Sequence, residues 1–285
     1  MSPIQHDSPR RDLAETGNKS HGRPFLRWAG SKRKLIPVLQ EYWSDSYGRY
    51  VEPFMGSACL FFHLDPSAGL LGDINAELVE CFCQVRADPQ AVHEELATYG
   101  HGSDFFYQLR EKIPEELTPV QRAARFIYLT RYCFNGLYRT NQLGRFNVPF
   151  GGTRTGKLPT LEQLTFAAKK LNSAELICSD FLGTIERVQP NDFVYLDPPY
   201  WVEGKRRTNQ YGPKTFCKDD LSRLKAALEH IHEQGAHFVL SYEDCDEARE
   251  ISGSWHVKQV PVRRNVAGFS QHRKIEHEMI ATNIA

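Results

Sequence analysis

The sequence predicts an α/β fold in which helices cover both faces of a sheet of mainly parallel strands. Short apolar runs alternate along the chain with longer stretches of helical periodicity. Three of these runs end in an acid, at Asp73, Asp180 and Asp197, and the carboxyl ends of parallel strands are where open α/β sheets bind ligands. A chain of 285 residues, 41% hydrophobic, can bury one large core or one core with an inserted subdomain.

The apolar runs predict seven strands, at 50–54, 68–71, 175–180, 193–196, 237–240, 256–262 and 275–282. The helical stretches are 35–42, a run ending at 64, 76–112 with breaks near 88–89 and 99–103, 119–135, 161–171 and 219–233. A basic, glycine-containing loop beyond Tyr200, which contains Lys205, Arg206, Arg207, Gly212 and Lys214, is expected to be mobile and able to close over a substrate.

Formal net charge is zero, but the charges are unevenly distributed. Residues 17–40 and 117–160 contain no acid, and the second segment is also rich in aromatic residues. Its seven basic residues are Arg122, Arg125, Arg131, Arg139, Arg145, Arg154 and Lys157. Such runs are usually solvated faces, but two long acid-free segments are also typical of a surface that follows nucleic-acid phosphates.

Several protein classes are not expected from the composition. No apolar run approaches the roughly 20 residues that cross a bilayer, and the polar segment 1–22 resembles a disordered lead more than a secretory signal, so we expect a cytoplasmic protein. The seven cysteines are irregularly spaced, without a Cys-x-x-Cys pair. We therefore expect neither a disulfide framework nor a metal site.

The segment 25–34 combines a tight turn with a cluster of basic residues. Ala29, Gly30 and Ser31 can turn the chain close past a ligand, with Ser31 capping the helix that follows. Lys32 would then lie in the first helical turn and point at a carboxylate. Taken alone, the pattern more often describes a capped surface helix with a solvated lysine.

The next two strands carry the pattern of a nucleoside site. The first is followed by a turn containing Gly56, where the backbone can approach a ligand closely. The second ends at Asp73, where an acid can accept ribose hydroxyls. Because G-x-G-x-x-G is absent, we expect a nucleoside without phosphates and no dinucleotide.

The fourth strand delivers Asp197-Pro198-Pro199-Tyr200. The prolines restrict the backbone and leave carbonyl acceptors without N–H groups, and the tyrosine adds a stacking surface. This arrangement suits a flat heterocycle that carries an amino group, although Asp-Pro-Pro is also an ordinary way to end a strand. Asp180, at the end of the third strand, has the same two interpretations: an acceptor for an adenine amino group, or a plain strand end.

Residues 134–151 predict a hairpin with its turn at 141–144. The hairpin carries arginines, amides and apolar side chains but no acid. An antiparallel hairpin fits a DNA groove, where Arg pairs with guanine and Asn with adenine, and apolar residues can wedge between base steps. The alternative is a structural hairpin packed on the sheet.

Five motifs in this order resemble the Dam family of adenine-N6 DNA methyltransferases. They are F-L-R-W-A-G-S-K at 25–32, V-E-P-F-M-G-S-A at 51–58, G-D-I-N at 72–75, N-G-L-Y-R-x-N-x-x-G-x-F-N-V-P-F-G at 135–151 and D-P-P-Y at 197–200. The resemblance implies a Rossmann-like, seven-stranded methyltransferase sheet with an inserted helical and hairpin subdomain for DNA recognition. The implied catalytic domain covers 23–85 and 173–285, and the recognition subdomain covers 86–172.

The resemblance also implies site residues and a target. The residues implied to bind S-adenosylmethionine are Trp28, Lys32, Phe54, Gly56, Asp73, Asp180 and Asp197. Those implied to be catalytic are Asp197, Pro198, Pro199 and Tyr200, with Asp197 and the Pro198 carbonyl accepting the target amino group and Tyr200 stacking on a flipped adenine. Those implied to contact duplex DNA are Arg27, Phe134, Asn135, Leu137, Arg139, Asn141 and Pro149. The implied target sequence is GATC.

The sequence departs from the family pattern at three places. Ser31 and Ala58 stand where glycine is common, and alanine at 58 is expected to be acceptable only with negative φ. After the fifth strand, S-Y-E-D at 241–244 replaces S-N-x-D. Two other functions are compatible with parts of this pattern. A cytosine-N4 methyltransferase more often has serine in place of Asp197, and a non-catalytic DNA-binding module would not need Asp73, Lys32 and Asp197 together.

Overall fold

The computed structural model describes residues 24–152, 155–201, 216–263 and 275–285. The predictions of a disordered lead at 1–22 and of a mobile loop beyond Tyr200, whose named residues lie at 205–214, therefore concern residues outside the described part of the chain.

One seven-stranded sheet organises the fold. Its strands are β1 Arg49–Glu52, β2 Gly69–Asp73, β3 Ala174–Cys178, β4 Asp192–Leu196, β5 His237–Glu243, β6 His256–Arg263 and β7 Ile275–Thr282. Their order is β3-β2-β1-β4-β5-β7-β6, parallel from β3 to β5, with β7 antiparallel to both of its neighbours. All seven predicted strands are confirmed, with ends that differ by a few residues.

The central strands are buried on both faces. Every residue of β4 is buried, which explains its nearly continuous apolar sequence. Successive side chains alternate between two cores: Tyr50 and Phe193 belong to one, and Val51 and Val194 to the other. The sheet thus separates two hydrophobic layers, each covered by helices.

Ten α-helices are found in the described part of the chain. They are α1 Ile36–Leu39, α2 Cys59–Leu64, α3 Ala76–Ala87, α4 Pro89–Ala97, α5 Gly102–Glu111, α6 Pro119–Tyr132, α7 Leu161–Leu171, α8 Phe181–Ile185, α9 Lys218–Glu233 and α10 Asp246–Ser252. The predicted breaks after α3 and α4 are confirmed. Asp88 accepts a hydrogen bond from the Ala91 N–H, and Pro89 occupies the first helical turn, so α4 must begin there.

The helices lie on both faces, as predicted. Side chains of α8, α9 and α10 pack on the core that contains Val51 and Val194. Helix α3 packs on the other face and continues into a bundle with α4, α6 and α7, and its core is continuous with Tyr50 and Phe193 of the sheet. Two capping boxes, Thr118 with Gln121 and the 160–163 pair, fix the starts of α6 and α7.

The expected start of the first helix was wrong. Helix α1 covers only 36–39, followed by a 3-10 turn, and Leu35 at its N-cap makes no side-chain hydrogen bond. Pro37, which lacks an N–H, suits the first turn and favours this later start. Ser31 does not cap the helix; its hydroxyl accepts a hydrogen bond from Ser57. Lys32 therefore lies before the helix and not in its first turn.

Candidate active site

The site lies where the order of the strands reverses direction. Strands β2 and β3 extend to one side of β1, and β4 and β5 extend to the other, which leaves a crevice at the carboxyl ends of β1 and β4. Polar side chains converge there from four neighbouring parallel strands: Glu52, Asp73, Asp197 and Ser241. The strand ends that the sequence predicts to bind a ligand thus carry these polar side chains.

Asp197 is held by donors from two directions. The Lys32 ammonium lies 2.6 Å from Oδ1, and the Ser241 hydroxyl donates to the same oxygen at 3.1 Å. Burial raises the pKa of Asp197, and the nearby Lys32 charge opposes that rise. The contacts from described residues all fall on Oδ1, and the side chain is 18% exposed. Its Oδ2 is therefore an acceptor not engaged by the described part of the protein.

Lys32 connects the turn at 29–31 to the end of β4. Its side chain is 10% exposed and its ammonium also lies 4.7 Å from the centre of the Tyr200 ring, within reach of a cation–π contact. The expected carboxylate partner of Lys32 is, in this structure, Asp197. An implied contact with a cofactor carboxylate remains a prediction.

Tyr200 is fixed at its hydroxyl end. The hydroxyl lies 2.7 Å from Glu278 Oε2 on β7 and 3.5 Å from Asp197 Oδ1. The ring lies 4.6 Å from the ring of Tyr242. The Tyr242 hydroxyl in turn bonds the backbone of Trp201, accepting from its N–H and donating to its carbonyl. Residues 200 and 201 are therefore anchored to β5 and β7.

The Gly56 turn and Asp73 form one unit. Gly56, at φ +45°, donates its N–H to Asp73 Oδ2 at 3.1 Å, and Asn75 donates its N–H to Oδ1 at 2.9 Å. Burial raises the pKa of Asp73 to about 6, and the backbone donors counteract part of that rise. A Cβ on Gly56 would lie 3.0 Å from two atoms of the Trp28 indole, so the close approach requires glycine.

Ala58 corrects a second expectation. We expected alanine to be acceptable there only with negative φ, but φ is +49° and the residue is fully buried. It occupies the left-handed N-cap position of α2, in the tight turn that follows Gly56. The chain accepts this strained conformation with a Cβ in place.

Asp180 follows β3, at the end of the sheet away from β4 and β5, and Phe54 follows β1. The rings of Phe54 and Phe181 stack with centroids 5.2 Å apart. Asp180, the preceding residue, caps α8 through the Leu182 N–H and pairs with Arg223 at 2.6 Å. This end offers apolar ring surface beside a carboxylate, which suits a purine with an amino group.

The hairpin is less regular than predicted. It has two isolated antiparallel bridges, Cys133 with Phe150 and Thr140 with Phe146, instead of a continuous ladder. Pro149 has no N–H to donate, and residues 135 and 136 have positive φ, which interrupts pairing at its base. The predicted turn at 141–144 is confirmed, with the Asn141 amide oxygen accepting the N–H groups of 143 and 145.

The side chains implied to contact DNA lie along this hairpin. Phe134 is 45% exposed and Leu143 at the tip is 81% exposed, both unusual for large apolar groups in the described part of the chain. Asn135 and Pro149 are exposed and Leu137 is half-buried. The half-buried Arg139 donates from Nε to the side-chain oxygen of Asn147 at 2.7 Å, which fixes its direction.

Three of the basic residues in 117–160 do not face a phosphate-tracking surface, contrary to expectation. Arg125 is 3% exposed and donates to the carbonyls of residues 109 and 110. Arg122 pairs with Glu80, and Arg131 donates to the carbonyl of residue 25. Arg125 is buried in the helical bundle, and the guanidinium groups of Arg122 and Arg131 are held by partners within the protein, so less basic charge of this segment is available to a nucleic acid than the sequence suggests.

The first turn is joined directly to the hairpin. The Ala29 N–H donates to the carbonyl of Gly136 at 3.0 Å, and Arg27 donates to the carbonyls of residues 131 and 133. The Trp28 ring stacks on Tyr138 at 5.8 Å. Residues implied to bind cofactor and residues implied to bind DNA thus share one packed unit.

Sequence reasoning missed three residues that orient the site: Ser241, Glu278 and Asn147. Ser241 directly follows the predicted strand 237–240, and Glu278 lies within the predicted strand 275–282, so each was an ordinary polar residue in or next to a strand. Asn147 pairs with Arg139 across the predicted turn. Their partners follow only from the strand order and the hairpin register, which the sequence did not determine.

The strand order and the acid-bearing strand ends define an α/β fold of the methyltransferase type. A family model of the D12 class N6 adenine-specific DNA methyltransferases matches residues 28–266, so the chain belongs to this family and is an adenine-specific DNA methyltransferase. This confirms the resemblance on which the site assignments were based.

Two relatives align with this chain over nearly the whole length of both proteins. Type II methyltransferase M1.LlaDCHI of Lactococcus lactis subsp. cremoris is 31% identical over 275 residues, which cover 93% of this chain and 97% of the relative. DNA adenine methylase of Escherichia coli strain K12 is 31% identical over 264 residues, covering 91% and 94%. In the described residues, no helix is long and apolar enough to cross a membrane, and no cluster of His, Cys, Asp or Glu could hold a metal ion.

Proposed function

We propose that this methyltransferase uses S-adenosylmethionine and methylates the N6 amino group of an adenine flipped out of duplex DNA, with GATC as its target. The observation that carries the proposal is the position of Asp197. Its carboxylate lies at the crevice between β1 and β4, is oriented by Lys32 and Ser241, and retains an acceptor oxygen beside the Tyr200 ring.

The chemistry of the crevice fits the cofactor along its whole length. Asp73 offers carboxylate oxygens for ribose hydroxyls, and the Phe54 and Phe181 rings with Asp180 suit an adenine. Lys32 and Trp28 lie at the methionine side, next to the Gly56 turn. When bound, S-adenosylmethionine supplies an activated methyl group.

Asp197 would act on the target amino group. An adenine amino nitrogen is a weak nucleophile because its lone pair is delocalised into the ring. By accepting one N–H at Asp197 and the other at the Pro198 carbonyl, the protein favours a pyramidal nitrogen with its lone pair directed away from the ring. Lys32 counteracts the effect of burial and helps Asp197 to remain ionised.

Tyr200 would supply the surface on which the flipped base stacks. Extruding a base costs a few kcal/mol, and stacking on an aromatic ring returns about 1–3 kcal/mol. Burial and two nearby carboxylates raise the pKa of Tyr200, so its ring stays a neutral phenol at any working pH. Pro199 holds the tyrosine at a restricted backbone angle from Asp197.

The hairpin would choose the site. Arg139 would read a guanine from its fixed direction, Leu137 and Pro149 would contact a neighbouring thymine, and Phe134 with Asn135 would fill the space of the opened pair. Arg27 and Asn141 would add a guanine contact and a further DNA contact. The bundle 86–172 that carries the hairpin is accordingly proposed as the recognition subdomain, and 23–85 with 173–285 as the catalytic domain.

The test measures transfer of labelled methyl groups to duplexes that contain GATC or a one-base variant of it. We expect label on N6 of adenine, at GATC, and its loss in Asp197→Ala. Asp246→Ala, which removes a 98% exposed carboxylate of α10, is the matched control and should keep full activity. Label on cytosine, equal labelling of both duplexes, or an active Asp197→Ala variant would each contradict part of the proposal.

A further inference from the structure

Glu278 is a buried acid outside the motifs that define the site. It lies on β7, is 2% exposed, and projects from a strand that is inserted between β5 and β6. Burying a carboxylate is costly unless strong donors compensate it. The Tyr200 hydroxyl, 78 residues away in sequence, is such a donor at 2.7 Å.

The geometry decides which acceptor the Tyr200 hydroxyl uses. A phenol has one hydrogen to donate, and two carboxylates lie near it. Glu278 Oε2 is 2.7 Å away and Asp197 Oδ1 is 3.5 Å away. The shorter, charge-assisted bond to Glu278 therefore takes the hydrogen.

We propose that Glu278 is a positioning residue: by accepting the Tyr200 hydroxyl hydrogen, it fixes the ring on which the target base stacks and keeps that hydroxyl from occupying Asp197. The inference rests on the proposed function, in which Tyr200 receives the flipped base. Glu278 itself touches no reacting atom. It acts through Tyr200 from a rigid strand, in the way that a supporting shell holds a catalytic group.

Two substitutions test the same hydrogen bond from its two ends. Glu278→Ala removes the acceptor, and Tyr200→Phe removes the donor while keeping the ring and leaving β7 unchanged. Each should lower kcat about 10- to 100-fold, the loss associated with a hydrogen bond to a charged group. The double variant should be no slower than the slower single variant, because both remove one interaction.

Further variants separate positioning from structural damage. Glu278→Gln keeps an acceptor oxygen and should retain activity within about 10-fold of wild type, since neutral hydrogen bonds have roughly half the strength of charge-assisted ones. Thr282→Val removes a different buried hydrogen bond of β7, from its hydroxyl to the carbonyl of residue 238. It should lower the melting temperature without changing kcat.

A second readout follows the base itself. With 2-aminopurine at the target position, Glu278→Ala and Tyr200→Phe should give brighter emission than wild type, because a loosened ring stacks and quenches less. Wild-type kcat in Tyr200→Phe, multiplicative losses in the double variant, or Glu278→Gln as slow as Glu278→Ala would overturn the positioning role. A wild-type enzyme that does not methylate adenine would instead refute the proposed function.

Discussion

Gly56→Ala should damage the turn after β1, which is proposed to bind the cofactor, in two ways. The first is backbone strain, because φ is +45° and a Cβ at positive φ destabilises the folded state by about 1–2 kcal/mol. The lower conformational entropy of the unfolded alanine chain offsets about 0.5–1 kcal/mol of this loss. The second is a collision: the new Cβ would lie 3.0 Å from Cδ1 and Nε1 of Trp28. The indole stacks on Phe126 and Tyr138, with centroids 6.1 and 5.8 Å away, so it cannot move freely. Overpacking of this kind costs about 1–3 kcal/mol.

Gly235→Ala is the matched control for the strain alone. Its φ is +72°, but the nearest atom to an added Cβ is 4.0 Å away. We expect Gly235→Ala to lower the free energy of unfolding by about 1 kcal/mol and Gly56→Ala by about 2–4 kcal/mol, measured by chemical denaturation. Calorimetric titration with S-adenosylmethionine should show at least about 10-fold weaker binding for Gly56→Ala only. Equal stabilities and unchanged binding in both variants would refute the role of the close approach.

Three further predictions concern single side chains. Because the raised pKa of Asp73 lies at about 6, its carboxylate gains a proton as the pH falls through 6. The affinity for S-adenosylmethionine should therefore fall in the same pH range. Asp73→Asn should bind the cofactor weakly and show no such pH dependence in a titration series. Asn147→Ala should lower the preference for the cognate duplex over one-base variants as Arg139→Ala does, by about 5- to 100-fold in kcat/KM, while cofactor affinity stays constant. Ala58→Gly should change the free energy of unfolding by less than about 1 kcal/mol, because the relief of backbone strain is offset by chain entropy and by the loss of a buried methyl group. Ala58→Val should lower the free energy of unfolding by at least about 2 kcal/mol. Chemical denaturation measures both changes.

The strands and the main acids of the site could be predicted because their signals are local. The continuous apolar run before Asp197 indicates a strand buried on both faces, and Asp88-Pro89 indicates where one helix ends and another begins. Both signals depend on neighbours in sequence. The structure confirms both the strand and the boundary between the two helices.

Other features depend on partners that are distant in sequence. Arg125 reads as a basic surface residue, but its donors are satisfied by carbonyls of another helix. In the sequence, Glu278 is an ordinary polar residue of a predicted strand. Only the pairing of β7 with β5 brings it within reach of Tyr200. The pairing of Lys32 with Asp197 likewise joins residues on separate elements. Such pairings are set by strand order and packing, which local periodicity does not encode.

The bond between Ala29 and Gly136, with the Trp28–Tyr138 stack beside it, has a consequence for exchanging parts between relatives. If residues 134–151 alone were transferred to another enzyme, the base of the hairpin would lose the segment against which it packs. The segment 25–30 supports the base of the hairpin and also carries Trp28, which is proposed to bind the cofactor. We expect that a chimaera which changes sequence preference without loss of activity has to exchange both stretches together, because the hairpin and the segment 25–30 pack directly against each other.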